Sequence, residues 1–450
     1  MKRKYSFFRI QVGAASLGYS VLMENCALQD DHDANSAPAR RKFGQIDKHS
    51  FWFTLFLVGL GVLPPLSIDM GLPALDLIAN NLHTTDQASA MTLSLFLVGF
   101  AIAPIFCGPL SDRYGRRPVL LSGCAAFALA AAGCTFAPNI QTLLVCRTIQ
   151  GLGSGAATVL NTALVRDLFE GHEARARLAQ VGAIRSFAPM IAPTIGAWIL
   201  TLGIWRHIYL LLFLLGATLF LVVYFCFAES AKLNTAPLTV QALWSEYKQV
   251  FRHRQSFGFA MMNALYFGAV FGYVTNSPLL MMQNYGLSNQ QFGYLFAGVS
   301  FGIMTGAFCN GQMNKRKISP TVSINTGVTI ALLAVLSIFC LTLTGAASPL
   351  TLFPALFAFT FAYGMLSPST AHGCIDPLPR IAGVVSAVMA CAQMVIGATG
   401  GMIVSNFYDG KSPWAMTLTM VFFVLASAAT YLFVVRPVAQ FGAVSKPQST

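Results

Sequence analysis

The sequence predicts an all-α membrane protein with twelve transmembrane helices in two pseudo-symmetric six-helix bundles, and three observations carry that expectation. Of its 450 residues 55% are hydrophobic and 10% charged, against about 25% charged in an ordinary soluble domain. The apolar residues fall in runs separated by short polar turns, each run long enough for a helix to cross a hydrocarbon core about 30 Å thick. A pattern recurring at one spacing then relates the second six runs to the first six.

The spans of the first half are expected at 51–80, 88–111, 118–137, 140–165, 178–202 and 206–228. Those of the second half follow at 256–283, 290–313, 321–345, 349–372, 381–406 and 413–435. Proline and glycine recur inside them, which membrane helices tolerate because neighbouring helices and water re-satisfy the freed backbone groups. A β-barrel would need alternating segments of about ten residues, and none is present. The domain plan is an N-terminal bundle over 49–228, a linker over 229–255 and a C-terminal bundle over 256–436. A polar segment, 1–48, expected to be disordered, and a tail, 437–450, flank them. The basic start followed by FFRIQVGAASLGYSVL faintly resembles a signal peptide, but the first span already serves as an uncleaved anchor, and Met23 is an equally good start. Within the linker, LTVQALWSEYKQVFRH has helical apolar spacing and is expected to lie along the membrane surface.

Lys and Arg in alternate loops set the orientation. With both termini inside, 24 fall on the cytoplasmic side, including Arg113, Arg116 and Arg117, and two, Arg206 and Lys411, on the outer side. The net charge of +12 is therefore read as a topology signal and not as a nucleic-acid patch. The ten cysteines are scattered, without a CxxC pair, and read as small apolar packing residues.

Two correspondences mark the repeat. GPLSDRYGRRPVLL begins at Gly108 and GQMNKRKISPTV at Gly311, an offset of 203, while APTIGAW with Gly196 matches GATGGMI with Gly400 at an offset of 204. A duplicated bundle with basic inner loops is the plan of many secondary transporters, whose binding site lies between the halves near the midplane.

An ionisable side chain in mid-membrane costs at least about 2.5 to 3.5 kcal/mol, so each survivor is a candidate for function. Four stand out: Asp69 and Asp76 in the first span, Arg147 in the fourth and Arg185 in the fifth. Asp69 lies roughly 27 Å along its helix and Arg147 about 12 Å below the outer end of a span running the other way, depths that allow them to pair. Asp76 shares the face of Asp69 but lies nearer the outer surface, where solvation explains it. Arg185 either faces the cavity or snorkels inward. Asn161, Asn263, Tyr266, Tyr273, Asn276, Ser277 and Gln393 could line an apolar cavity, although each taken individually is better explained by an interhelical hydrogen bond than by a substrate contact.

Two motifs are decoys. GVSFG, 298–302, fits a nucleophile elbow but lies inside an apolar helix. GLGSGAA, 151–157, lacks the lysine and preceding strand of a phosphate loop and reads as close helix packing. Nothing in the sequence implies ATP, a metal or another cofactor, and no catalytic cluster suggests an enzyme.

These residues together resemble the major facilitator superfamily, and within it the proton-driven drug exporters of the bicyclomycin and chloramphenicol resistance (Bcr/CflA) type. GPLSDRYGRRP looks like the signature between helices two and three, RTIQGLGSGAA like the fourth-helix motif, and IDMGLPAL like the first-helix motif of those exporters. APMIAPTIGAW, with Pro189, Pro193 and Gly196, looks like the fifth-helix motif associated with antiporters. SPLLMMQNYGLSNQQFGYLFA and DPLPRIAGVVSAVMACAQ continue the likeness, which covers 50–436.

The resemblance implies that Asp69 is the proton-linked carboxylate, Arg147 its polar partner, and Gly108, Asp112, Gly115 and Arg116 a cytoplasmic gate. Gly108 is expected to let the second helix approach the eleventh, and Asp112 to latch onto the N-terminal end of the eleventh near Arg380. Two departures matter: Gly61 stands where some related exporters carry a second acid, and Arg185 is unexpected one turn before Pro189. They weaken the expectation of cationic drugs and leave neutral, zwitterionic or anionic cargo open. The expected partners are a small-molecule substrate, protons and the lipid bilayer, with no nucleic acid, and the expected state is a monomer in the bacterial inner membrane with both termini cytoplasmic. A carrier for one metabolite is the alternative.

Overall fold

The computed structural model describes residues 47–229 and 240–437, all within one compact unit. The expectations for 1–46, for 230–239 of the linker and for 438–450 of the tail lie outside the described residues.

Among the described residues, twelve helices are long and apolar enough to cross a membrane: Phe51–Asn81, Asp86–Tyr114, Arg116–Thr135, Ile140–Leu168, Gly171–Leu200, Arg206–Cys226, Arg254–Asn284, Asn289–Lys315, Pro320–Leu343, Pro349–Ile375, Pro379–Phe407 and Trp414–Val435. They are the first to twelfth spans below. The largest departure from the sequence boundaries is the fifth span, which starts seven residues before the expected 178. Apolar runs mark only what the bilayer covers, and this helix continues into water through His172, Glu173 and Arg177. Side-chain caps fix other starts. Thr85 accepts from the Ala88 amide, Asn139 from the Thr142 amide, and Ser288 with Gln291 forms a capping box. The first span is interrupted after Asp69 by a 3-10 turn, Leu72–Ala74, where Gly71 and Pro73 weaken the α-helix.

The second and third spans are joined through Gly115 alone, at φ 99°, a backbone setting that only glycine adopts freely. The ends of the even spans share one face with the basic loops, termed here the basic-loop face; Arg206 and Lys411 lie at the opposite face. A linker helix, Val240–Arg252, packs against the seventh and eleventh spans, with Val250 buried and Trp244 and Phe251 exposed.

The helices group in two sets of six, and equivalent pairs pack alike: second on fourth and third on sixth in one, eighth on tenth and ninth on twelfth in the other. The tightest seams run through glycine. A Cβ on Gly151 would stand 2.0 Å from the Phe96 carbonyl oxygen, and one on Gly306 2.0 Å from that of Phe361. The GLGSGAA run is thus a packing surface, as its small residues suggest.

The repeat has a slipped register. Starts of the first three spans and their counterparts are 203, 203 and 204 residues apart, but those of the last three are 209, 208 and 208 apart. Gly196 and Gly400 are therefore not topologically equivalent, despite their offset of 204. Each still marks the close approach of a fifth-type span to a first-type span. Gly196 meets the Met70 carbonyl and Gly400 the Gly268 carbonyl, about one helical turn lower in the second half.

Between the halves, the second span lies along the eleventh and the fifth along the eighth. Toward the opposite face these seams are closed: Gly401 would place a Cβ 2.7 Å from Ser94 Oγ, and Gly293 one 3.3 Å from Thr194 Cα. Toward the basic-loop face Gly108, Gly182 and Gly383 have nothing within 4 Å of an added Cβ. The halves are apart on the basic-loop side and shut on the other. Gly108 accordingly makes no close approach to the eleventh span in this conformation, contrary to the sequence expectation.

Gly151→Val is expected to destabilise by about 1–3 kcal/mol through overpacking, whereas Gly108→Ala should leave folding unchanged. Thermal unfolding of the two detergent-purified variants checks this, and equal melting temperatures would contradict the packing account.

Candidate functional site

A cavity of about 310 Å³ lies between the halves at mid-membrane depth, lined by residues of the first, second, fifth, seventh, eighth, tenth and eleventh spans. Its size is at the lower end for drug-sized ligands. Pro64 and Pro65 line it just before Asp69, so the segment that presents the carboxylate is also the one that lacks helical donors. Asp69 is 6% exposed and has Tyr273, Phe296 and Phe271 among its fellow lining residues. Tyr273 stacks on Phe296, with ring centroids 5.7 Å apart.

The expected pair between Asp69 and Arg147 is not formed. Arg147 is 1% exposed, donates to Gln150 Oε1 at 2.7 Å and lies over the rings of Phe96 at 4.6 Å and Tyr209 at 5.7 Å. Its charge is held by aromatic faces within the first half, and it does not line the cavity. Depth alone suggested the pair; the direction in which the fourth span turns its side chains decides against it. The cation lining the cavity is Arg185, exposed although it lies far from either end of its span, so it opens into the cavity rather than snorkelling out. None of the ion pairs among the described residues involves Asp69 or Arg185.

Of the other polar candidates, Tyr273 lines the cavity. Asn161 donates to the Leu57 carbonyl at 2.9 Å, tying the fourth span to the first. Gln393 donates to Asn263, whose amide donates to Thr370 Oγ1, and Tyr266 donates to the Phe359 carbonyl at 2.8 Å. Ser277 caps back on Val274. Asn276 borders a separate polar pocket of about 280 Å³ at the opposite face, with Asp86 and Asp409. Asn161, Asn276 and Gln393 therefore do not line the cavity in this conformation. Pro189 does line it. Pro193 stands beside Gly293 of the eighth span, and Gly196 against Met70.

A vestibule of about 380 Å³ lies between the cavity and the basic-loop face, bordered by Gly108, Asp112, Arg116, Glu246 and Gly383. Phe100 lines both spaces and so partitions them. Arg116 pairs with Asp112 at 2.5 Å and, across to the fourth span, with Asp167 at 2.8 Å. Glu229 accepts from the backbone amides of Arg116 and Arg117, where a side chain at Gly115 would collide with it. The cluster stays within the first half, and the expected contact of Asp112 with the eleventh span near Arg380 is absent because the halves are apart there.

At the opposite face the halves are pinned together. Gln283 of the seventh span donates to Asp76 at 2.8 Å and to Asp86 at 3.2 Å, and Gln87 donates to Asn406. Asp76, read from the sequence as merely solvated, is a closure residue. Sequence reasoning missed Gln283, Asp167, Glu229, Phe100 and Tyr363; a polar Gln at the end of an apolar run was the one available signal, and the others carried none.

A central cavity with a buried carboxylate, between duplicated six-helix halves that are apart toward the basic loops and in contact at the opposite face, has the plan of a membrane carrier. The family model of the major facilitator superfamily matches residues 51–401, and the chain belongs to that superfamily: it is a non-enzymatic, multi-pass membrane transporter of small molecules. It is 31% identical over 387 residues to an uncharacterized MFS-type transporter, YdgK, of Bacillus subtilis, covering 84% of this chain and 94% of that one. It is 29% identical over 392 residues to a bicyclomycin resistance protein homolog of Haemophilus influenzae, covering 86% and 96%. It is 28% identical over 344 residues to multidrug resistance protein D of Escherichia coli, covering 76% and 85%. The fold is similar to the crystal structures of a bacterial homolog of the human lysosomal transporter Spinster, with TM-score 0.66 and 14% identity over 87% of this chain and 98% of that one, and of a D-xylose-proton symporter, with TM-score 0.62 and 17% identity over 86% and 98%.

Because Asp112 borders the vestibule and not the cavity, Asp112→Ala is expected to slow transport severalfold while leaving cargo affinity within about twofold. Parallel binding and uptake measurements check this; loss of binding in a folded variant would contradict it.

Proposed function

We propose that the protein exports small amphipathic compounds, drugs among them, from the cytoplasm in exchange for protons, with Asp69 as the group that holds either a proton or the cargo. The observation that carries the proposal is Asp69 itself, a buried carboxyl in no ion pair among the described residues, lining a cavity that Phe100 separates from the vestibule. The excess of Lys and Arg at that face supports its being cytoplasmic, with both termini inside and the protein in the bacterial inner membrane as a monomer. The resistance names of several relatives and the proline-glycine pattern at Pro189, Pro193 and Gly196 support export.

In this scheme cargo enters past Phe100 from the vestibule. Exchange follows if a cationic or strongly polar cargo group and a proton exclude each other at one carboxyl. The two bodies, 49–228 and 256–436, then rock. Closing requires the Asp112, Arg116 and Asp167 cluster to meet the eleventh span, and opening outward requires the Gln283 and Gln87 contacts to break. A proton taken from outside returns the carrier. Arg147, remote from the cavity, holds the first half together during the motion.

The test starts with a toxicity and dye-efflux screen in a pump-deficient bacterial host, with and without a protonophore, to find a cargo. In inverted vesicles wild type should couple cargo uptake to proton release from the lumen, and Asp69→Asn should lose that coupling at least tenfold. Full proton-dependent uptake by Asp69→Asn would refute the assignment. Proton movement in the same direction as cargo would instead favour the metabolite symporter.

A further inference from the structure

The cavity carries two charged side chains of opposite sign that do not neutralise each other. Asp69 and Arg185 are the charged residues that line it, and none of the ion pairs among the described residues includes either. The remainder of the wall is mostly apolar and includes six aromatic side chains, Phe100, Phe267, Phe271, Tyr273, Phe296 and Tyr363.

The two charges can be placed relative to each other from the packing of the helices that bear them. The first and fifth spans run parallel and are registered at two points, Gly61 against Val181 and Gly196 against Met70. At 1.5 Å rise per residue, Arg185 stands about 6 Å past the Val181 contact and Asp69 about 12 Å past the Gly61 contact. Counted from that contact, Asp69 is about 6 Å farther from the basic-loop face than the Arg185 backbone, and counted back from the Met70 and Gly196 contact about 15 Å farther, so on either count the cation lies on the entry side of the anion.

We propose that the cargo is amphoteric and aromatic: an amine or other cationic group bound at Asp69, an acidic group bound at Arg185, and a ring between them against the aromatic wall. This deepens the reading of the cavity as the cargo site and rests on it. A purely cationic cargo would place nothing on Arg185 and would pass it on the way in. A purely anionic cargo would pair with Arg185 and place nothing on Asp69. An α-amino acid carries both charges on one carbon, whereas the two residues stand at different levels of the cavity, so a spacer such as a benzene ring is required between the two cargo groups. Arg185 suits a planar carboxylate or sulfonate, which its fork of N–H donors engages bidentately. With an amphoteric cargo, Asp69 still exchanges a proton for the amine, while Arg185 supplies an attraction that no proton competes for.

The experiment measures binding to the purified full chain by calorimetry at pH 7 with three compounds: 4-(aminomethyl)benzoic acid, its methyl ester, which is cationic only, and its N-acetyl derivative, which is anionic only. Wild type should bind the amphoteric parent about tenfold more tightly than either derivative. Arg185→Gln should bring the parent to the level of the ester and leave the ester unchanged, and Arg185→Lys should recover part of the loss. Asp69→Asn should weaken parent and ester but spare the N-acetyl compound. The proposal is overturned if wild type binds none of the three, if the ester matches or exceeds the parent, or if Arg185→Gln binds the parent as wild type does. If Arg185→Gln does not fold, the comparison of the three compounds on wild type decides alone. Failure of the antiport reading looks different: the charge pattern would persist while vesicle transport released no protons.

Discussion

The structure is organised around the cost of leaving one carboxyl unpaired in the middle of a membrane. Asp69 could have been neutralised by either intramembrane arginine, yet Arg147 is turned toward Phe96 and Tyr209 and Arg185 stands on the entry side, in no ion pair with it. An acid in this position is held only by whatever enters the cavity, and that makes it useful. Under the proposed exchange, a permanent ion pair would hold the carboxylate against proton and cargo alike, because breaking a buried pair is costly. The proline pair before Asp69 and the 3-10 turn after it interrupt the first span at the level where the carboxyl must be presented.

The rest of the fold packs six helices tightly into each half on either side of that point. Within each half, glycines bring backbones into contact at the second-to-fourth and eighth-to-tenth seams, and such seams have no slack. Between the halves the seams are different. They are tight beyond the cavity toward the opposite face and open toward the basic loops. The polar groups at the two ends are matched to that geometry: Gln283 and Gln87 bridge the halves where they meet, whereas Arg116 is satisfied inside the first half by Asp112 and Asp167 where they part. The linker helix, amphipathic and seated on the eleventh span, joins the halves on the open side.

Much of this was legible in the sequence because the bilayer imposes a simple rule on composition. Twelve apolar runs, the basic loops and the duplication all follow from length, charge and spacing. The position of Asp69 was legible too, since an acid in an apolar run has few innocent explanations. Partners were not legible. Depth along a helix can be read from residue number, but the azimuth of Arg147 depends on how the second, fourth and sixth spans pack, and that is fixed by the Gly151 and Phe96 contact. The polar residues of the seventh span failed for the same reason. Tyr273 lines the cavity, but Asn263 and Asn276, at similar spacing, face the tenth span and the outer pocket. The slipped register of the last three spans was hidden because Gly196 and Gly400 happen to match at the earlier offset while differing in helical position.

The central claim is that proton and cargo exclude each other at Asp69. The most direct measurement is calorimetric binding of a cargo from the efflux screen to purified protein in two buffers of different ionisation enthalpy, across a range of pH. The account predicts that binding releases a proton in the acidic part of that range, and that the release fades as pH rises and Asp69 no longer holds one. Binding without buffer dependence at any pH, or with proton uptake, would contradict it.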